Sequence, residues 1–180
     1  MQSDLVRRAQ RGDEEAFAAL VPAAVDRLVA VAYRILRDAA LAEDATQQAL
    51  TIAWRKLPTL RDPERFDAWT YRLVVNACFA ESNRRRSVVP FRLVSDDAAV
   101  IDSSSQTLDR DRLERGFTRL SLDHRTVVVL HVHLGLPFDE IADLLDIPIG
   151  TARSRLHYAI RALRSAIETD DIPTANRGLA

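Results

Sequence analysis

Phe138 to Ile167 reads FDEIADLLDIPIGTARSRLHYAIRALRSAI, and its spacing decides the fold. Phe138 to Leu145 follows the helical period, with Ile141, Ala142 and Leu145 as the expected buried face. Asp146, Ile147 and Pro148 then interrupt it. A short polar residue tolerates the left-handed backbone that ends a helix, and a proline two positions later cannot continue one. Gly150-Thr151 opens a second helix with an apolar stripe of Ala152, Leu156, Ile160, Leu163 and Ile167. Ser154, Tyr158 and Arg161 fall away from that stripe; Arg153, His157 and Arg164 run along one flank and Arg155 along the other. Two helices joined by a tight turn, the second apolar on one face and arginine-rich elsewhere, suit the major groove of DNA. The plainer reading is an amphipathic hairpin with solvated arginines. It fits less well, because a salt-bridged surface helix mixes its signs and this one carries no acid before Glu168. Thr151 and Ser154 can bond phosphates, and Arg153 can fork onto guanine.

Composition bounds the rest. A chain of 180 residues is long enough for one or two small domains, and 47% apolar content supports real cores. The net charge of −1 excludes a globally basic nucleic-acid binder, so any DNA contact must come from local clusters. The single cysteine, Cys78, excludes an internal disulfide and a cysteine-based zinc site, and its apolar helical context reads as packing. His131 and His133 are two residues apart, so on a helix they face different directions, and no carboxylate completes a metal site with them or with His124. No glycine-rich phosphate loop or nucleophile motif is present, so neither an enzyme nor a cofactor is expected. With no signal peptide and no long uncharged apolar run, a soluble cytoplasmic protein without membrane insertion is expected.

Glycine is scarce and the helical period dominates, which predicts an all-α chain of two small helical domains joined by a flexible linker. Asp13 is the expected N-cap of a helix whose apolar face is Phe17, Leu20, Val21, Leu28, Val31 and Ile35, kinked or divided at Pro22. Asp38 caps the next helix, to about Lys56, and Leu57 to Pro63 is a loop. A further helix runs from about Glu64 to Arg86, with Phe66, Trp69, Leu73 and Ala77 on one face. Residues 1–86 form the first domain on this reading. Residues 87–109 are serine-rich and acidic, the composition of a linker, although Val88 to Phe91 and Leu93-Val94 are too apolar for a pure spacer. Residues 110–168 form the second domain, in which Asp123 to Leu134 is helical and stops at Gly135, and 169–180 is a frayed tail.

Three segments stand in a telling order. Ala42-Glu43-Asp44 with Gln47 and Ala53-Trp54 comes first, then Phe66, Trp69, Arg72, Asn76 and Arg84-Arg85-Arg86, then EIADLLDIPIGTARSRL. In a chain this short they resemble the extracytoplasmic-function sigma factors, minimal bacterial transcription initiation subunits that keep only sigma regions two and four. Thr70, Asp146, Tyr158 and Ile160 depart from the family pattern, which bears on the bases read rather than on the fold. The resemblance implies that Glu43, Asp44 and Gln47, which share one helix face, dock on the clamp helices of the largest subunit of core RNA polymerase. It implies that Arg72, Asn76 and Asn83, with Arg61 in the preceding loop, read the start-proximal promoter element where the duplex melts, while Arg84 and Arg85 meet phosphates. Phe66 and Trp69 on that helix read better as core than as stacking platforms. Helix geometry and resemblance together aim Arg153, Ser154, His157 and Tyr158 at bases of the upstream duplex element, and Thr151, Arg155 and Arg161 at its phosphates. An anti-sigma partner is a further implication.

Two rival functions remain at this stage. An autonomous helix-turn-helix regulator would bind duplex DNA without polymerase, but nothing in the first half resembles a ligand pocket. A helical adaptor without a DNA role would show no salt-sensitive DNA binding.

Overall fold

The computed structural model describes residues 1–88 and 105–170, with side chains placed for 1–85 and 112–166. The chain divides into two compact units. The described residues form eight α-helices and no strand, so the all-α expectation holds. Of the expected linker, Ser87-Val88 and 105–109 are helical, and the remainder, including its apolar run after Val88, lies outside the described residues. So do 171–180 of the tail, while 169–170 continue the last helix.

The first unit contains α1 (Gln2–Gln10), α2 (Glu14–Leu36), α3 (Ala39–Lys56) and α4 (Phe66–Val88). Asp13 and Asp38 cap α2 and α3 as expected, accepting from the Ala16 amide at 2.9 Å and the Leu41 amide at 3.1 Å. The cap holds the Asp13 carboxyl below its ordinary pKa, first through the Ala16 amide and then through Arg8. Pro22 does not divide α2, which is continuous from Glu14 to Leu36. Proline denies the Ala18 carbonyl its helical partner, but both residues are exposed, on the solvent side of the helix where an unpaired carbonyl costs little. Leu57 to Pro63, expected as loop, and the expected helix start at Glu64 fall instead in two 3₁₀ turns, Leu57–Thr59 and Pro63–Arg65, with α4 beginning at Phe66.

The expected α2 face is buried at Leu20, Leu28, Val31 and Ile35, whereas Phe17 and Val21 are half-exposed. Although α2 is apolar and long enough to cross a membrane, its inner face is a bundle core, and Arg27 forks onto Asp67 of α4 at 2.7 and 2.9 Å. A near-neutral run of this length escaped the sequence reading. On α4, Phe66 and Ala77 are buried, but the core face also takes in Val74, Val75 and Cys78, while Trp69 and Leu73 are half-buried. Burial in this apolar layer pushes the Cys78 thiol up to about 12, which leaves it protonated and inert at neutral pH. Thr70 is buried where an apolar residue was expected, its hydroxyl donating to the Asp67 carbonyl at 2.9 Å.

The inner face of α3 is small. Ala42, Ala45, Ala49 and Ala53 are all buried, and short side chains let α2 and α4 approach the α3 backbone closely. The outer positions of α3 therefore stay in solvent.

The second unit contains α5 (Ser105–Arg119), α6 (Leu122–Val128), α7 (Phe138–Leu145) and α8 (Ile149–Asp170). The single helix expected over Asp123 to Leu134 ends instead in a π turn, Val129–His133, with the Leu134 amide donating to the Val129 carbonyl at 3.1 Å. Gly135 stops it with φ of 68°, a left-handed value that glycine adopts without strain. On α7, Leu144 is buried and Leu145 only half-buried, so the inner face is rotated by one residue from the expected one. On α8 the buried residue is Ala159, and Ile160 is exposed. Two successive steps of four overrun a 3.6-residue turn, so the stripe continues through position 159.

The alanine face of α3 generates a stability prediction. Ala49→Leu forces three extra carbon atoms between close helices and is expected to cost about 1–3 kcal/mol, read as a lower thermal midpoint of the full chain.

Candidate functional site

The side chains singled out from the sequence fall on three helices. On α3, Glu43, Asp44 and Gln47 are exposed, and the same outer stripe continues through Gln48, Thr51 and Trp54. Trp54 lies seven residues after Gln47, two helical turns along one face. Its ring meets Phe17 of α2 with centroids 4.8 Å apart. The two rings, with Glu14, Ala18, Val21 and Pro22, line an open apolar cleft of about 440 Å³. The sequence reading missed this cleft, although the seven-residue spacing was there to be read. The stripe is thus acidic at the start of α3 and aromatic near its end.

On α4, Arg72, Asn76 and Asn83 are exposed on one stripe, spaced by four and seven, opposite the buried Val74 and Cys78. Arg61 is exposed in the loop between the two 3₁₀ turns. Arg84 and Arg85 are not on that stripe. Arg84 pairs with the buried Glu81 at 2.6 Å and approaches Asp44 to 3.9 Å, and Arg85 bonds Asp38 at 2.9 Å. The basic end of α4 therefore turns toward the acids of α3. Among exposed partners such pairs hold weakly and set orientation more than stability. Phe66 is core, as expected.

The turn between α7 and α8 carries the predicted geometry. Asp146 takes φ 54° and ψ 49°, and its amide and that of Ile147 both donate to the Ala142 carbonyl, the latter at 3.0 Å. The turn presents α8 with Ala152, Leu156 and Ala159 inward. Arg153, Ser154, His157, Tyr158 and Arg161 are exposed on the opposite side, and Thr151 is half-exposed. The Ser154 hydroxyl donates to the Thr151 carbonyl at 3.0 Å, which leaves its oxygen free to accept. The His157 and Tyr158 rings meet edge-on with centroids 5.7 Å apart. Arg155 is different: it is largely covered and faces Asp123 of α6 at 3.4 Å, so the structure groups it with the packing of α6 on α8.

The histidines do not converge. The His131 Nδ1 lies 2.9 Å from the Leu136 carbonyl, and the described residues hold no group of three or more metal-ligating side chains.

The described residues thus carry a solvent-facing acidic stripe, a stripe of arginine and asparagine, and an arginine-rich helix behind a tight turn. Comparison with known proteins makes the class definite. Residues 20–87 match the family model of sigma-70 region 2, and residues 110–163 match that of sigma-70 region 4. The chain is 36% identical over 166 residues to the extracytoplasmic-function sigma factor SigL of Mycobacterium tuberculosis, with 87% of this chain and 94% of that one covered. It is 31% identical over 180 residues to the RNA polymerase sigma-H factor of Pseudomonas aeruginosa, covering 91% and 92% respectively. Among solved structures the fold resembles the sigma factor CnrH in complex with the cytosolic domain of CnrY, with a TM-score of 0.68, 23% identity and 94% and 99% of the two chains covered. It also resembles the sigma factor RpoE of Bartonella quintana in complex with the anti-sigma factor NepR, with a TM-score of 0.64, 22% identity and 86% and 98% covered.

The chain is a bacterial transcription initiation factor. It belongs to the sigma-70 family, in its extracytoplasmic-function group, whose members bind core RNA polymerase and promoter DNA. The autonomous regulator and the adaptor are set aside by that membership.

The α7–α8 turn yields a prediction. Asp146 holds a left-handed conformation that glycine adopts without a Cβ penalty. Asp146→Gly is expected to stabilise the second unit by up to about 1 kcal/mol and Asp146→Val to destabilise it, both read in thermal unfolding of the full chain.

Proposed function

We propose that the three stripes divide the work of initiation. The outer face of α3 docks on the basic clamp helices of the largest polymerase subunit, with Glu43, Asp44 and Gln47 as its polar part and the Phe17–Trp54 cleft as its apolar end. Arg72, Asn76 and Asn83 on α4, with Arg61 beside them, hold the melted strand of the start-proximal element. Arg153, Ser154, His157 and Tyr158 on α8 read the upstream duplex, and Thr151 and Arg161 hold its backbone. Arg84 and Arg85 join the phosphate contacts of α4 only on leaving Asp44 and Asp38. Arg155 braces α8 against α6 as well as facing the backbone. The single observation that carries this reading is the one-sided burial of α3 and α8, which leaves each with a polar face that no part of its own unit covers.

The chain performs no catalysis on this reading and works in the cytoplasm, where polymerase and promoter are. Two weak DNA contacts become specific once polymerase fixes their separation, because the second binding event is then intramolecular. The solved relatives held by an anti-sigma factor and by the cytosolic domain of CnrY support an anti-sigma partner for this chain as well.

Two outcomes test the assignments. Asp44→Lys reverses the charge of an exposed residue and is expected to weaken binding to core polymerase at least tenfold while leaving the thermal midpoint nearly unchanged. Wild-type polymerase affinity in that variant would remove α3 as the docking face. For α8, holoenzyme is used to select from duplexes randomised across the upstream element, at several salt concentrations. Arg153→Ala is expected to relax preference at one base pair, at a cost of about 1–3 kcal/mol on the preferred sequence. Arg161→Ala is expected to weaken all sequences about equally and lower the salt slope by about one. A uniform loss from Arg153→Ala would overturn the division between reading and holding residues.

A further inference from the structure

Arg153 is exposed, yet its guanidinium is not loose. Its Cζ lies 5.7 Å from the centroid of the Phe138 ring, the first residue of α7. That ring is itself held. His131 stacks on it with centroids 4.5 Å apart and planes 20° apart. His131 is tied through Nδ1 to the Leu136 carbonyl at 2.9 Å, and the Leu136 amide donates to the Leu130 carbonyl at 3.0 Å. His131 and its anchor belong to the π turn Val129–His133 and the residues just after it. A π turn inserts one residue into the helical register, and such insertions recur at functional positions. Here the insertion accompanies a fixed aromatic stack that ends at Arg153. A simple hydrophobic role for Phe138 accounts for its half-burial but not for a guanidinium parked over its ring.

We propose that Phe138 is a positioning residue for base reading: its ring holds the Arg153 guanidinium in place for the major groove. The proposal deepens the assignment of α8 as the groove helix and rests on it. The physics is that of pre-organisation. An arginine side chain has much rotamer entropy to lose, and a guanidinium already resting on an aromatic face loses less of it on binding. An aromatic face engages the guanidinium through its π cloud, so the in-plane N–H groups remain available to fork onto O6 and N7 of a guanine. Discrimination at that base pair therefore depends on a residue that need not touch DNA.

The test uses full-length chain in holoenzyme, selecting from duplexes randomised across the upstream element. The readout is the ratio of affinities for the best and second-best base at each position, which does not depend on the fraction of active protein. Phe138→Leu removes the π face and keeps apolar bulk; it is expected to reduce the ratio about two- to fivefold at the position that Arg153→Ala relaxes, and nowhere else. Phe138→Met, which fills the same space with a flexible side chain, is expected to do the same and guards against a packing defect peculiar to leucine. Phe138→Tyr keeps the ring face and is expected to keep the ratio. In an Arg153→Ala background, Phe138→Leu is expected to change the ratio no further. If Arg153→Ala relaxes one position and both Phe138→Leu and Phe138→Met leave the ratio there intact, the positioning role is overturned and the reading of α8 stands. If Phe138→Leu lowers affinity evenly at all positions, the residue is structural and the proposal fails. If Arg153→Ala relaxes no position, Arg153 is not a base reader and both fall.

Discussion

The smallness of the inner faces of α3 and α8 is the constraint on which the rest depends. Ala42, Ala45, Ala49 and Ala53 line the buried side of α3, and Ala152 and Ala159 take two of the three buried positions near the start of α8. A helix that presents alanine inward is clasped through its backbone, at the short end of the interhelical range, and needs no long side chain to fill a gap. The same economy appears where α5 crosses α8. A Cβ added at Gly116 would stand 3.1 Å from the Ala166 Cβ and 3.3 Å from Leu163 Cδ2, so only a residue without one fits undisturbed. Narrow inner faces leave broad outer ones. The outer residues of both helices have little part in the core and carry charge, amide and aromatic groups in solvent.

Charge is arranged just as locally. A net charge of −1 hides an acidic stripe on α3 and a basic α8. Within the first unit the two signs already meet, because Arg84 and Arg85 of α4 face Glu81, Asp44 and Asp38. The consequence is competition. A basic surface that engages Asp44 releases part of the hold on Arg84, and phosphates that engage Arg84 bare Asp44. Each exposed pair is worth at most about 1 kcal/mol, so the coupling is small, but on the roles proposed for Asp44 and Arg84 its sign favours joint occupation of the docking and DNA faces. Glu81 differs from the other acids in being buried, which anchors Arg84 near Asp44.

Much of this was legible in the residues. The caps at Asp13 and Asp38, the left-handed Asp146 and the break at Gly135 are local chemistry, and local chemistry is what a sequence displays. What escaped is non-local. The α8 stripe drifted to Ile160 because stepping by four overruns the helical turn, and only the neighbours of the helix show that Ala159 is the covered residue. Pro22 suggests a kink or a division because its missing hydrogen bond is certain, whereas the solvent exposure that lets the helix run on depends on the bundle. The π turn has no signature in Val127 to His133, whose apolar run suits strand and helix alike. The phosphate roles of Arg84 and Arg85 come from the family resemblance, and that of Arg155 from helix geometry and resemblance together, none of which shows the acids that face them. Arg84 meets Glu81 on its own helix, but Asp44, Asp38 and Asp123 come from other parts of the fold, so those pairings are tertiary. Phe138 marks only the start of a helix in the sequence, and its contact with Arg153 spans a turn whose geometry had to be seen.

The rigidity of α4 bears directly on how such a chain favours open DNA. A protein shifts the equilibrium between duplex and melted strand only by the difference in its affinity for the two. The stripe of Arg72, Asn76 and Asn83 lies back to back with Val74, Val75 and Cys78, which are fully buried, so the spacing of the stripe is set by a packed core. A surface held in that way cannot remodel itself to fit both forms equally. Unstacked bases offer Watson–Crick edges that a duplex hides, and arginine and asparagine have donors and acceptors matched to those edges. On the role proposed for this stripe, the differential affinity resides in hydrogen bonds that only the open strand completes. A stacked duplex leaves the same side chains hydrated, which costs little because they are exposed, so closed DNA is disfavoured by lack of gain rather than by a clash. Melting in this scheme needs a rigid stripe and a partner that holds it over the right bases, and the alanine-lined bundle supplies the first of these.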